Sequence, residues 1–290
     1  MFVDYADVKK STIKGYKVHL RHFFIWLSDK KISNPQREDI VEYKEYLEAR
    51  DFTTGTKRKY FSIVKTFFRW AMNEKLYPNI ADNLKGFRVR TDITRKDAFY
   101  ENDVVRILDS IERDNEMGKR NYAMFLLSIT GGLRIIELQR ADMKDIKTIA
   151  GEKVLMIQGK GRDEKDEYKK LVPEVLEALD DYFDSREKLD GPLFVGTSNR
   201  AKNQRITTES LSRIIKSVLV HAGYDSERLT AHSLRHTSIT MLLKSGATLQ
   251  EAQKHARHND PATTNIYAHN LDRRKDTSEQ NIMDQIYVNY

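Results

Sequence analysis

Cysteine is missing from all 290 residues, which excludes a disulfide framework, a thiolate metal site and a thiolate nucleophile. No apolar run comes near the roughly 20 residues that cross a bilayer. The opening MFVDYADVKK holds no apolar stretch of a signal peptide. A cytoplasmic chain with no membrane partner is therefore expected. Proline and glycine are sparse, five and 13, against 32% charged residues, a balance that predicts a soluble, largely helical protein. The length allows two ordinary domains with real cores.

Charge is unevenly spread. Residues 1–96 carry 21 Lys and Arg against 12 Asp and Glu, whereas residues 97–290 carry 29 against 31. The whole surplus of the +7 chain lies in its first third. Such a surplus suits a polyanion, because each neutralised phosphate releases condensed counterions, although a solvated basic face would look the same.

Helical periodicity dominates. Ser11 predicts an N-cap for a helix whose apolar face is Ile13, Tyr16, Leu20, Phe23, Phe24 and Leu27, with Lys14 and Lys17 off that face. REDIVEYKEYLEA buries Ile40, Tyr43 and Leu47. After the break in TTGT, a third helix shows Tyr60, Ile63, Val64, Phe67, Phe68 and Ala71, with Arg58 and Lys59 nearby. NIADNL predicts one more short helix. These aromatics recur at helical spacing and read as core rather than as base-stacking platforms. The stretch KGFRVRTDITRKDAF, with five cations including Arg88, Arg90 and Lys96, reads as a linker able to follow a phosphate backbone.

Beyond it, ENDVVRILDSIE and KRNYAMFLLSIT predict helices. EKVLMIQ and KKLVP predict a hairpin with the long charged tip GKGRDEKDEY, and PEVLEALDDYF a further helix. LFV predicts a short strand. TESLSRIIKSVLVHAG and HSLRHTSITMLLKSG each predict a helix stopped by glycine. Two shorter helices follow, one before His258 and one bearing Tyr267.

Several of these segments carry side chains suited to phosphodiester chemistry without metal. Such a reaction needs a nucleophile, cations on the non-bridging oxygens and an acid for the departing oxygen. Tyrosine can attack phosphorus once its phenol, ordinarily of pKa near 10, loses its proton. Arginine stays charged and meets two phosphate oxygens with one planar fork. TGGLRIIEL supplies Arg134 with Glu137 three residues on. HSLRH puts His232 and Arg235 on one helical face. Lys160 lies in the hairpin's QGKGR, and His258 precedes Tyr267 by nine residues across a proline break.

Taken in order, TGGLRIIEL, GKG at 159–161, HSLRH at 232–236 and HNDPATTNIY at 258–267 resemble the tyrosine recombinase (phage integrase) family, over most of the chain. The resemblance implies a mainly α fold with a small antiparallel β-sheet. Two domains, a helical core-binding (SAM-like) domain and a catalytic domain, would form a clamp around DNA. It implies boundaries of 1–88 for the helical domain, 89–97 for a basic linker, 98–275 for the catalytic domain and 276–290 for a tail helix. Tyr267 would be the nucleophile that forms a 3′-phosphotyrosyl link. Arg134 and Arg235 would clamp the phosphate, and Lys160 would protonate the leaving 5′-oxygen. His232 would assist proton removal from Tyr267, His258 would hydrogen-bond the phosphate, and Glu137 would support Arg134. Neither metal, other cofactor nor ATP is expected. The expected DNA contacts are Lys14, Lys17, Arg58, Lys59, Arg88, Arg90, Lys96 and Arg257. The partner would be duplex DNA with inverted half-sites, bound by a dimer per site and by a tetramer in synapsis. The tail residues Ile282, Met283, Ile286 and Tyr287 would dock on a neighbouring subunit.

Three departures from the family pattern stand out. Arg257 occupies the position usually held by glycine before the last histidine. Ile135 and Ile136 follow Arg134 where a small polar residue is common. The hairpin tip is longer and acidic, with Asp163, Glu164, Asp166 and Glu167, which makes Arg162 and Lys165 alternatives to Lys160. Rival readings are a zinc helix on His232 and His236, a catalytically silent DNA-binding regulator, and a type IB topoisomerase. The first lacks the glutamate and thiolates of a zinc pattern; the second is disfavoured by the full set of six candidate residues. The compact helical N-terminal domain, with no arm-binding segment before residue 1, favours Xer-type and integrase-type recombinases over the third, although a fragment of a longer integrase would look the same.

Overall fold

The computed structural model describes residues 2, 8, 10–89, 97–159, 161–199, 201–275 and 278–287, without the side chains of 10, 11 and 269–275. The chain divides into two compact units, Met1–Thr91 and Asp92–Tyr290. The described residues are mostly helical, with one three-stranded antiparallel sheet. No described helix is long and apolar enough to cross a membrane.

In the first unit, α1 (Lys10–Asp29), α2 (Arg37–Ala49) and α3 (Thr54–Asn73) enclose an aromatic-rich core. The Thr53 hydroxyl caps α3 by accepting from the Thr56 amide at 3.3 Å, as the TTGT break predicts. Ile40, Tyr43 and Leu47 are fully buried, and Phe23 meets Tyr43 edge-on with ring centres 4.8 Å apart. Of the expected apolar positions, Leu20, Phe23 and Leu27 on α1 and Val64, Phe68 and Ala71 on α3 are buried, but one aromatic on each helix is exchanged. Trp26 rather than Phe24 enters the core, leaving Phe24 45% exposed, and Phe61 rather than Tyr60 is the fully buried ring of α3. NIADNL makes turns instead of a helix. Its carbonyls go to long side chains from elsewhere: Arg37 donates to the Asp82 oxygen at 2.7 Å and Lys65 to the Leu84 oxygen at 2.6 Å, while Asn83 adopts φ 56°.

The second unit is built on α5 (Glu116–Gly131), which packs against the later helices α7 (Pro173–Asp184) and α9 (Ala231–Lys244). Preceding it is α4 (Glu101–Asp109), and following it the short α6 (Ile135–Arg140). Strands β1 (Ile146–Ile149), β2 (Glu152–Ile157) and β3 (Glu167–Lys170) form the sheet in that order, with Leu155 opposite both Ile146 and Lys169. β1 was not expected, because its polar, largely exposed IKTI has no strand-like apolar alternation. β3 starts earlier than KKLVP, since Pro173 takes the first position of α7, where its missing amide costs nothing. LFV is buried but is not one of the sheet strands; its Val195 pairs with Arg205 through a single isolated bridge. The remaining helices are α8 (Thr208–His221), α10 (Leu249–Ala256), α11 (Pro261–Lys275) and α12 (Ser278–Tyr287), the last with no buried residue.

Candidate active site

The end of α5 sets up the first part of the site. Gly132 caps that helix in the left-handed region at φ 56°, Leu133 drops into the core, and Arg134 becomes the N-cap of α6. Glu137, three residues on, accepts from the Arg134 amide at 2.8 Å and from Arg134 Nη1 at 2.9 Å. One carboxylate thereby fixes both the turn and the guanidinium. Arg134 Nη2 donates to the Arg257 carbonyl at 3.1 Å, tying α6 to the end of α10.

α9 contributes His232, Arg235 and His236. Arg235 is 1% exposed, with Nη1 donating to the Gly132 carbonyl at 2.6 Å and Nη2 to that of Ala256. Burial, then the nearby Arg134, pull its pKa down to about 10, so it remains a cation at neutral pH. These bonds use two of its five N–H donors, and the guanidinium also lines the cavity described below. The rings of His232 and His236 meet edge-on, one helical turn apart, with centres 5.0 Å apart.

The third part follows the left-handed residue Arg257, where α10 stops and the chain turns into α11. His258 Nδ1 shares a 2.9 Å hydrogen bond with the Thr264 hydroxyl. Pro261 opens α11, and the Asp260 carboxylate accepts from the Ala262 amide at 2.9 Å. Tyr267 is 6% exposed, its ring 4.9 Å from that of His236 and 6.1 Å from that of His258. Burial pushes its phenol up to about 12, against the pull of Arg235 and Arg134. His236 and His258 are both driven down to about 4, chiefly by burial, so both are neutral at pH 7.

A cavity of about 490 Å³ joins these parts. It is lined by Arg134, Glu137, His232, Arg235, Arg257, His258 and Tyr267, and also by His236, Arg162, Glu167 and Thr263. Of the six residues expected to carry the chemistry, five therefore face one space. The sixth, Lys160, lies outside the described residues. Of its two alternatives, Arg162 lines the cavity, held by Asp166 and by Glu167 at 3.0 Å. Lys165 is not among the lining residues and pairs with Asp142 at 3.0 Å and with Asp145.

Among the expected DNA contacts, Lys14, Lys17, Arg58, Lys59 and Arg88 are exposed on the first unit, while Arg90 and Lys96 lie outside the described residues. Arg257 is turned inward. Its side chain is 7% exposed and paired with Glu137, the reverse of a cation presented to solvent.

Sequence reading missed a polar chain behind Arg235. The Ser238 hydroxyl shares a 2.8 Å bond with His255 Nε2, and Lys169 Nζ approaches His255 Nδ1 at 3.1 Å. Burial, helped by Arg257 and Arg235, lowers Lys169 to about 7 and, helped by Lys169, lowers His255 to about 4. These residues come from α9, α10 and β3, and no local spacing signals their meeting.

Residues 97–274 match the phage integrase family, and residues 4–75 match the phage integrase N-terminal SAM-like domain. Among curated proteins, the chain is 29% identical to a tyrosine recombinase of Thermosipho africanus over 286 residues, 95% of each chain. It is 26% identical to the tyrosine recombinase XerC of Halalkalibacterium halodurans, over 92% of this chain and 91% of that one. Among solved structures it is similar in fold to the XerH site-specific recombinase in a post-cleavage complex with palindromic difH substrate. That match has a TM-score of 0.73 and 22% identity, covering 91% of this chain and 77% of that one. A lambda integrase tetramer bound to a Holliday junction matches with a TM-score of 0.69 and 16% identity, covering 92% and 74%.

Proposed function

The chain belongs to the phage integrase family, and from that premise we propose that it is a site-specific DNA recombinase that cuts and rejoins strands through a 3′-phosphotyrosyl ester on Tyr267. One observation carries the reading: Arg134 at the start of α6, His232 and Arg235 on α9, His258 in the turn after α10 and Tyr267 on α11 line a single cavity.

In this scheme the Tyr267 oxygen attacks phosphorus, and its proton passes toward His232. The bond from phosphorus to the 5′-oxygen breaks, its electron pair stays on that oxygen, and Lys160 supplies the proton. Arg134 and Arg235 hold the two non-bridging oxygens as negative charge grows on them. The Arg235 carbonyl anchors preset its guanidinium, so little reorganisation accompanies the reaction. With Nδ1 of His258 engaged by Thr264, Nε2 is the nitrogen left to donate to phosphate. The tyrosyl ester conserves the energy of the broken bond. A 5′-hydroxyl from a second duplex can therefore reverse the step, and the scheme draws on neither ATP nor a metal.

Residues 1–88 would carry the basic helices to the groove, with Lys14, Lys17, Arg58, Lys59, Arg88, Arg90 and Lys96 on the phosphate backbone. Residues 98–275 would hold the chemistry, and the tail would join neighbouring subunits on paired inverted half-sites. The solved complexes of XerH with DNA and of a lambda integrase tetramer with a Holliday junction support an assembly of this kind.

The test uses nicked duplexes with randomised half-sites, which trap a covalent adduct once the short cleaved strand diffuses away. Peptide mapping is expected to find the DNA on Tyr267. Tyr267→Phe should bind the selected duplexes yet form no adduct. An adduct that survives this substitution assigns the nucleophile to another tyrosine. Relaxation of supercoiled plasmid without two-site exchange identifies a topoisomerase instead.

A further inference from the structure

Arg257 sits at φ 53° and ψ 50°, a left-handed backbone that strains any residue with a side chain. Glycine, the residue the family pattern leads one to expect there, would fit without strain. The arginine side chain must therefore contribute something to offset that cost.

Its contacts show what this is. Arg257 Nη2 donates to Glu137 Oε2 and lies 3.5 Å from the Gly132 carbonyl, while Nη1 donates to the His255 carbonyl at 3.2 Å. Nε is buried without a hydrogen-bond partner, 3.5 Å from a Glu167 oxygen. The guanidinium is thus spent on protein atoms. Glu137, whose side chain is wholly buried, takes its other hydrogen bonds from Arg134.

Charge counting gives the consequence. Arg162, Glu167 and Asp260 also line the cavity and together add one net negative charge; within the inner group, Arg134, Arg235 and Arg257 against Glu137 leave two net positive charges. Without Arg257 only one remains, because Glu137 would then be balanced by Arg134 alone. A phosphodiester carries one negative charge, but the five-coordinate arrangement formed when a phenolate adds carries two. We propose that Arg257 is a positioning residue for strand cleavage: it is the counter-ion of Glu137, freeing Arg134 and Arg235 to meet the transition state with uncompensated charge. This inference rests on the recombinase reading of the cavity and gives Arg257 an inward role in place of a DNA contact.

The state of Glu137 agrees. Burial alone raises its pKa, yet the carboxyl sits below its usual range, with the charge of Arg257 the largest single opposing cause, followed by the backbone hydrogen bond, the side-chain hydrogen bond and the charge of Arg134. The charged groups around it are Arg134 at the cap of α6, Arg235 from α9, Arg257 after α10 and Lys169 from β3.

Arg257→Gly is the decisive variant, since it deletes the charge while relaxing the turn. In the DNA-free protein, carbon-13 titration of the Glu137 carboxyl should show its midpoint raised by Arg257→Gly and largely restored in Arg257→Lys. On nicked duplex at saturating protein, Arg257→Gly cleavage should fall roughly tenfold or more while duplex affinity changes less than about threefold, as for an interaction made in the transition state. The acid limb of the rate profile should move upward in pH. In a Glu137→Gln background the same change should cost little, because no carboxylate is left to neutralise. Wild-type cleavage by Arg257→Gly, or an unmoved Glu137 midpoint, overturns the proposal. Should the wild type form no adduct on any duplex, the recombinase reading fails, and the Glu137 titration still decides whether Arg257 is its counter-ion. If Arg257→Gly does not fold, the same titration on the uncharged Arg257→Gln decides it, a midpoint raised above wild type supporting the pairing and an unmoved one overturning it.

Discussion

Replacing Gly132 by alanine should damage both the stability of the second unit and the phosphate clamp. The residue stands at φ 56°, where an L-side chain costs roughly 1–2 kcal/mol. An added Cβ would lie 2.9 Å from His255 Nε2, 3.2 Å from His255 Cδ2 and 3.1 Å from Ser238 Oγ. Neither neighbour can yield cheaply. The two are bonded to each other at 2.8 Å, and Lys169 holds the far side of the His255 ring. Losing the Ser238–His255 bond adds about 1 kcal/mol, for a total of roughly 2–3 kcal/mol. In a unit of about 200 residues, each kcal/mol lowers Tm by roughly 2–4 °C, so the drop should be about 4–12 °C.

The functional effect should exceed what stability predicts, because the Gly132 carbonyl anchors Arg235 at 2.6 Å. Single-turnover cleavage on nicked duplex, measured well below the new Tm, should fall more than duplex affinity does. Gly223→Ala is the control: it has the same kind of backbone, φ 87°, with open space around the added carbon. If Gly132→Ala melts within about 2 °C of that control and cleaves at the same rate, crowding against His255 and Ser238 is not the operative effect.

Three further outcomes are expected. Lys160→Ala should slow cleavage of ordinary duplex by roughly 10²–10⁴. With sulfur at the 5′-bridging position the leaving thiolate needs no proton, so variant and wild type should then match; equal impairment on both substrates would remove Lys160 as the acid. Depressed pKa values of about 4 at His236, His255 and His258 mean that unfolded chains bind protons which the fold refuses. Their stabilisation is complete above about pH 6.5 and fades as pH falls toward 4, so urea midpoints between pH 7.5 and 4.5 should decline, and His255→Gln should flatten the slope. A slope identical in His255→Gln would refute its assignment as a group buried in neutral form. Ending the chain after Lys275 removes α12, which buries none of its residues, so Tm should hold while two-site exchange is lost; exchange by the truncated chain would sink the docking role.

The site was legible wherever local spacing decides geometry. Arg134 and Glu137 meet because three residues make nearly one turn after a left-handed glycine, and His232 and Arg235 share a face of α9 for the same reason. His258 and Tyr267 are brought together by Pro261, which starts a new helix and carries the phenol back over the histidine. Periodicity placed most of the core of α1 and α3 but misassigned one aromatic on each, where several rings compete for one face and only three-helix packing chooses between Phe24 and Trp26 and between Tyr60 and Phe61. It failed at NIADNL because Arg37 and Lys65, distant in sequence, satisfy carbonyls that a helix would otherwise bond. Arg257 is the sharpest case. Read locally, it is a cation added to a basic chain, and the expected direction is outward. A left-handed residue aims its side chain differently from a helical one, and a buried carboxylate waits where it points. The direction of that arginine is therefore set by Glu137, 120 residues earlier, and by the turn it caps. No window of the sequence contains both.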